Sequence, residues 1–168
     1  MQIELKKVDT DQELQSMCQV AEQVWHLTYD QLLPEGQTEY MIEKFQSPQA
    51  VREQQAREGY EYYMVYGDGV PGGFIGFSPQ YEGRDEMFLS KLYLLPALRS
   101  QGAAKRAFQL VEAEARWHGL PAIRLTVNKG NTHAVEVYRH YGFTIVDSVV
   151  TDIGGGYVMD DYIMVKRL

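Results

Sequence analysis

Between Arg99 and Lys105 the chain reads Arg-Ser-Gln-Gly-Ala-Ala-Lys, placed after an apolar run, Met87 to Leu95, and before a helical pattern. That pattern carries Ala104, Ala107, Phe108, Val111 and Ala115 at offsets of three, four, seven and eleven, the spacing of one helix face. The first turn of a helix holds backbone N–H groups without internal partners, and the aligned peptide dipoles place partial positive charge there. Gly102, Ala103 and Ala104 leave that end uncovered by bulky side chains, so a diphosphate can reach the backbone. Arg99 and Lys105 flank the loop with mobile positive charge. Strand, small-residue loop and helix thus point to a phosphate-bearing cofactor. Further on, Ala134, Val137, Tyr138 and Tyr141 share one face of a short helical pattern that opens at Asn131.

The surrounding elements have to position these groups. Ile3 to Val8 reads as a first strand. Thr10 and Glu13 form a capping box that opens a helix with apolar residues to Trp25, and Thr28 to Pro34 breaks its pattern. A second helix covers Gln37 to Phe45, and Ser47-Pro48 starts a third. Tyr60 to Tyr66 and Gly73 to Phe77 form a hairpin across Gly67-Asp68-Gly69, and a tip at Gln80 to Asp85 leads into Met87 to Leu95. Ser90 and Lys91 are too few polar interruptions for a surface strand, so this one is read as largely buried and central. Ile123, Leu125 and Val127 alternate with Arg124 and Thr126 as a fifth strand. A helix from Asn131 to His140 ends at Gly142, and Phe143 to Val150 with Tyr157 to Val165 makes a last hairpin across Gly154 to Gly156. The expected architecture is a mixed α/β (α+β) fold, a mostly antiparallel sheet of about seven strands with helices on both faces.

Composition sets limits. At 168 residues the chain suits one domain, residues 1–168, and no linker or repeat divides it. A net charge of −7 argues against nucleic-acid binding, which depends on neutralising phosphates, and is compatible with cationic partners. No apolar run has membrane length and no signal-peptide core opens the chain, so a cytoplasmic protein without membrane attachment is expected. Cys18 is the only cysteine, which excludes an internal disulfide. It falls on the apolar stripe of the first helix with Leu14, Met17, Ala21 and Trp25 and reads as core. His118, His133 and His140 show no metal-ligand spacing, so no metal is expected.

The loop Arg99-x-x-Gly102-x-Ala104 resembles the acetyl-CoA pyrophosphate loop of the GCN5-related N-acetyltransferases. Asn131 to Phe143 is similar to a second motif of that family, through Asn131, Ala134, Tyr138, Gly142 and Phe143. Two motifs in the right order are far more specific than one. Ala104 stands where glycine is common, and Ser100-Gln101 departs from the usual pair.

The resemblance implies that the fourth and fifth strands are parallel neighbours that splay apart, with the pantetheine arm of acetyl-CoA in the gap. It implies that Arg99, Ser100, Gln101, Gly102, Ala103, Ala104 and Lys105 hold the diphosphate and that Asn131 and the backbone of Leu92 and Leu94 hold the pantetheine. The N–H near Leu94 would face the oxyanion. An alkyl amine with a pKa of about 10.4 is neutral in only about one molecule in a few thousand at pH 7, so the reaction needs a base. It also needs an acid for the departing thiolate, and the resemblance gives Tyr138 that role; packing on the stripe with Ala134, Val137 and Tyr141 is the other reading. Glu86 and Asp85 are positioned where some members carry a carboxylate, and a water chain serves equally well as base. Trp25, His26 and Tyr29 fall in the segment that shapes the acceptor pocket in the family, and with Glu86 they are the candidate substrate residues. The acceptor implied is a primary amine of a small molecule, polyamine or amino-acid-like, or of a peptide, acetylated directly in a ternary complex. An acyl-CoA-binding regulatory module without catalysis is the alternative. The aromatic carboxy-terminal hairpin is a possible homodimer edge.

Overall fold

Local chemistry sets most element boundaries. The computed structural model describes residues 1–168. In it, β1 (Ile3–Lys7) gives way at Thr10 to α1 (Asp11–Tyr29), and the capping box is complete: the Thr10 side chain accepts from the Glu13 N–H while the Glu13 carboxylate accepts from the Thr10 N–H. α1 continues four residues beyond Trp25, because Tyr29 extends the buried stripe by another turn. α2 (Gln37–Phe45) and α3 (Pro48–Arg57) follow, the latter capped by Ser47. Next come β2 (Glu61–Gly67), β3 (Val70–Ser78), β4 (Met87–Leu94), α4 (Ala103–Trp117), β5 (Ala122–Asn128), α5 (Thr132–His140), β6 (Thr144–Gly154) and β7 (Tyr157–Arg167). β6 runs past Val150 to Gly154: ladder pairing with β7 continues through the β-branched Thr151 and carries Asp152 into the strand against its local preference.

The strands form one sheet in the order β1-β2-β3-β4-β5-β7-β6, antiparallel everywhere except between β4 and β5. One face packs on α4 and α5 through Ala107, Phe108, Val111, Val135 and Phe143, and the other on α1 to α3 through Met17, Trp25, Met41, Val51, Tyr62 and Phe74. Cys18 flanks the second core half-buried, and burial pushes its thiol up to about 11. No helix is long and apolar enough to cross a membrane.

β4 is the middle strand of the sheet and none of its residues is exposed, but its pairing with β3 is irregular. Phe77 pairs with Leu89 and Gly76 with Lys91, so Ser90 is an extra residue, a β-bulge. The bulge switches which face successive side chains take. Met87 and Leu89 pack on the α4 side, whereas Lys91 reaches Tyr62, Gln54 and the Phe45 carbonyl on the α1–α3 side. From Leu92 onward β4 is only half-buried, because it borders an opening. β4 pairs with β5 only at Met87↔Ile123 and Phe88↔Arg124, while β5 stays paired with β7 from Ala122 to Asn128. Beyond Phe88, β4 and β5 part.

Candidate active site

The parting strands open a cavity of about 1380 Å³. A pocket for one small ligand occupies ~300–1,000 Å³, so this one has room for two reactants side by side. Its first wall is largely backbone. Leu95 donates its N–H to the Gly72 carbonyl across the β3–β4 ladder. Because ladder bonds alternate in an antiparallel pair, the peptide groups of Leu92 and Leu94 turn the other way, into the gap. At the end of β4, Ser100 and Gly102 are both at positive φ (59° and 82°) with Gln101 between them at negative φ, so successive N–H groups converge. Gly102 is the N-cap of α4 and supplies no capping side chain, and the first turn holds no acidic residue. The N–H groups of Ala103, Ala104 and Lys105 are therefore left for an anion, and nothing lies within 4 Å of where a side chain at Gly102 would begin. Arg99, Ser100, Gly102, Ala103, Ala104 and Lys105 line the cavity with Leu92 and Leu94. Gln101 does not: its side chain is exposed.

α5 supplies the next part of that wall. The Asn131 side-chain oxygen accepts from the Ala134 N–H at 3.3 Å as the N-cap, which leaves its amide nitrogen without a protein partner on the cavity surface. Tyr138 rests its ring edge-on against Phe108 and Phe143, with ring centres 5.9 and 5.8 Å away, and lines the cavity. Burial, followed by the neighbouring Tyr93, pushes the Tyr138 phenol well above 10, so it is fully protonated near neutral pH.

The second wall is built of side chains. Trp25 and Tyr29 of α1 meet Tyr93 of β4, with the Tyr29 and Tyr93 hydroxyls 2.6 Å apart and Tyr93 stacked on Phe74. Phe45, Tyr60, Tyr81 and Phe88 extend this aromatic lining. Two charged residues are buried here, and neither was singled out in the sequence. Lys91 (6% exposed) donates to the Phe45 carbonyl at 3.1 Å, to Gln54 Oε1 at 2.9 Å and to the Tyr62 hydroxyl. Burial brings its amine down to about 7. All three ammonium donors are spent within the protein, tying the α2–α3 junction to the sheet. Asp161 (4% exposed) lies on β7 between Asn128 of β5 and Val149 of β6 and lines the cavity. No hydrogen bond or ion pair engages its carboxylate, since Lys129 pairs at 3.2 Å with the exposed Asp160 instead. Burial first, then the charge of Asp160, pushes the Asp161 carboxyl up to about 6, against the pull of Lys129.

Three acceptor-side candidates do not join the site: His26, Glu86 and the exposed Asp85. His26 faces away from the cavity, between Asp30 at 2.9 Å and Glu39 at 2.6 Å, and its imidazole is raised chiefly by the Asp30 hydrogen bond. It follows Trp25 by one position, which on a helix rotates it off the buried face. Glu86 precedes the bulge at the end where β4 and β5 are still paired, and its carboxylate accepts from Arg124 at 3.0 Å. It is not part of the cavity lining. A signal for Asp161 does exist in the sequence: it shares strand parity with Tyr157 and Met159, which pack in the second core, and a charge at an inward position marks a site candidate.

A family model described as the acetyltransferase (GNAT) family matches residues 21–143. An uncharacterized N-acetyltransferase of Mycobacterium tuberculosis is 35% identical over 98 residues, 58% of this chain and 62% of that protein. The uncharacterized N-acetyltransferase YjgM of Escherichia coli is 29% identical over 93 residues, 55% of this chain and 56% of its own. The matches thus span less than two thirds of the length of these curated relatives. Among solved structures, the PaiA N-acetyltransferase from Thermoplasma acidophilum in complex with coenzyme A superimposes with a TM-score of 0.80 at 25% identity over all of both chains. A GCN5-related N-acetyltransferase from Rhodopseudomonas palustris reaches 0.81 at 14% identity over 100% of this chain and 97% of that one, a likeness of fold.

Proposed function

The chain belongs to the acetyltransferase (GNAT) family, and from that premise we propose that it moves the acetyl group of acetyl-CoA to a primary amine of a small molecule or peptide, directly, with both substrates bound. The observation that carries this reading is the separation of β4 from β5 beside the uncapped start of α4. Those features fit the two halves of coenzyme A: free N–H groups at residues 103–105 suit the diphosphate, and the turned-out peptide groups of Leu92 and Leu94 suit the amides of its arm. Acetyl-CoA supplies an acyl group already activated as a thioester.

The chain's own residues do the rest. Arg99 and Lys105 add charge to the diphosphate end. Leu92, Leu94 and Asn131 orient the arm along β4, and the Leu94 N–H faces the position where negative charge develops on the carbonyl oxygen. Tyr138, held by Phe108 and Phe143, keeps its proton at neutral pH and offers it to the departing sulfur. Direct transfer is favoured because Cys18, the one thiol, is not among the cavity residues, so the site holds no thiol for a covalent acyl step. The test is release of free thiol from acetyl-CoA across a panel of alkyl amines, diamines and peptide amino termini. Amine-dependent release is expected. Coenzyme A binding with no release for any acceptor would replace this reading with that of an acyl-CoA-sensing module.

A further inference from the structure

We propose that Asp161 is the catalytic residue that receives the acceptor: its carboxylate binds the amine as an alkylammonium ion and then takes one of its protons. This deepens the acetyl-transfer reading and rests on it. The argument begins with an uncompensated group. Asp161 is buried, lines the cavity and has no hydrogen-bond or ion-pair partner, and a buried carboxylate without a partner is costly unless a ligand completes it. A cationic ligand would.

The surroundings fit that ligand class. Tyr29 and Tyr93, which feel the charge of Asp161, and Trp25 packed against both bring aromatic rings to the same cavity, and aromatic faces attract an ammonium ion that has left water. The ionisable groups near Asp161 are Tyr29 of α1 and Tyr93 of β4, both of which feel its charge, with Asp160 on its own strand and Lys129 just after β5. On β6 its partner is the neutral Val149. Lys129 is the one cation among them and is held by Asp160. The lysine buried on this wall, Lys91, has its donors occupied by protein. The cationic partner must therefore come from outside the chain.

The protons balance. The acceptor enters as R–NH3⁺ and gives one proton to the Asp161 carboxylate, becoming R–NH2. Its lone pair forms the N–C bond to the thioester carbonyl carbon, and the C–S bond breaks with its electron pair going to sulfur. The Tyr138 hydroxyl proton moves to that sulfur, and a second proton from the acetylated nitrogen restores Tyr138. The proton on Asp161 leaves to solvent with the products. A carboxyl titrating near 6 is charged at neutral pH, ready for the cation, yet basic enough to keep the proton during transfer.

The experiment titrates the coenzyme A-bound protein at pH 8 with 1,4-diaminobutane, benzylamine and glycinamide in a calorimeter, for the native chain and for Asp161→Asn. At least one amine should bind the native chain, and at least ~30-fold more weakly to the variant, as when a buried charge loses its partner. Coenzyme A itself should bind both equally. Amine affinity should fall below pH 6 in the native chain and stay flat in the variant. No amine bound, or equal amine binding by both proteins, would overturn the role of Asp161; failure of the native chain to bind coenzyme A would instead overturn the acetyl-transfer reading. Should Asp161→Asn fold poorly, carboxyl ¹³C NMR of the native chain decides: one aspartate must titrate near pH 6 and shift downward in pKa when amine is added. An unmoved titration would also overturn the proposal.

Discussion

The two walls of the cavity are made of different materials. One is mostly main chain: the turned-out peptide groups of Leu92 and Leu94, the uncapped N–H groups that follow Gly102, and small side chains whose service is to stay out of the way. The other is side chains from α1, α2, β4 and β7: Trp25, Tyr29, Phe45, Lys91, Tyr93 and Asp161. A main-chain wall grips what many proteins share, the polar arm and diphosphate of a common donor. A side-chain wall can change its acceptor by changing a residue, and it pays by burying charge.

That contrast can be broken in several places. The largest effect is expected from Tyr138→Phe, where the main-chain wall meets the chemistry: turnover should fall by about a thousandfold, within the range of lost general-acid catalysis, with coenzyme A affinity unchanged. Turnover kept across acceptors would reduce Tyr138 to a packing residue. Lys91→Ala strips donors from the Phe45 carbonyl and Gln54 and leaves a void, so urea unfolding should show a loss of about 3 kcal/mol. Because this acts on the side-chain wall alone, coenzyme A affinity should hold in the folded variant. Arg99→Ala should weaken coenzyme A about tenfold, an effect that shrinks in high salt, as expected for an exposed charge on phosphate.

Asp161→Asn should act in the opposite direction on stability. The native carboxyl titrates near 6, above the 3.8 of a free aspartate, so between those values the folded chain binds the proton more readily than the unfolded one. Stability from this group is therefore lost as pH rises from about 4 to about 6, and above that the charged form destabilises the fold by a constant amount. The variant escapes that cost. It should be more stable than the native chain by about 1–2 kcal/mol at pH 8, with the difference gone near pH 4. A variant less stable at both values would mean that Asp161 is compensated within the fold. Smallest is His26→Ala: this ring joins Asp30 and Glu39 outside the cavity, so thermal stability should change by less than about 0.5 kcal/mol and turnover not at all.

The same division governs what the sequence discloses. A main-chain site leaves its mark as residues that must be small, and Gly102-Ala103-Ala104 before a helical stripe is visible as text. The capping box at Thr10, the alternation in β5 and the N-cap at Asn131 are equally local. The acceptor wall is assembled from strands and helices far apart in the chain, and local pattern says little about it. Ser90 shows why: one bulged residue flips the side-chain parity of β4, so Lys91 reads as an interruption and is in fact buried against α2 and α3. Glu86 looked close to the chemistry because it precedes the right strand, but register leaves it in the closed half beside Arg124. Asp161 was legible only through strand parity, and Asp160 beside it hid the signal.

The central claim is that the peptide groups at the start of α4 grip the diphosphate of coenzyme A. The direct measurement is calorimetric titration of coenzyme A into the native chain and into Gly102→Trp, in which a bulky group stands over those amides at a residue whose φ is 82°. Binding heat is expected for the native chain, with affinity reduced at least ~100-fold in a folded variant. No heat from the native chain, or the same affinity in both, would contradict the account.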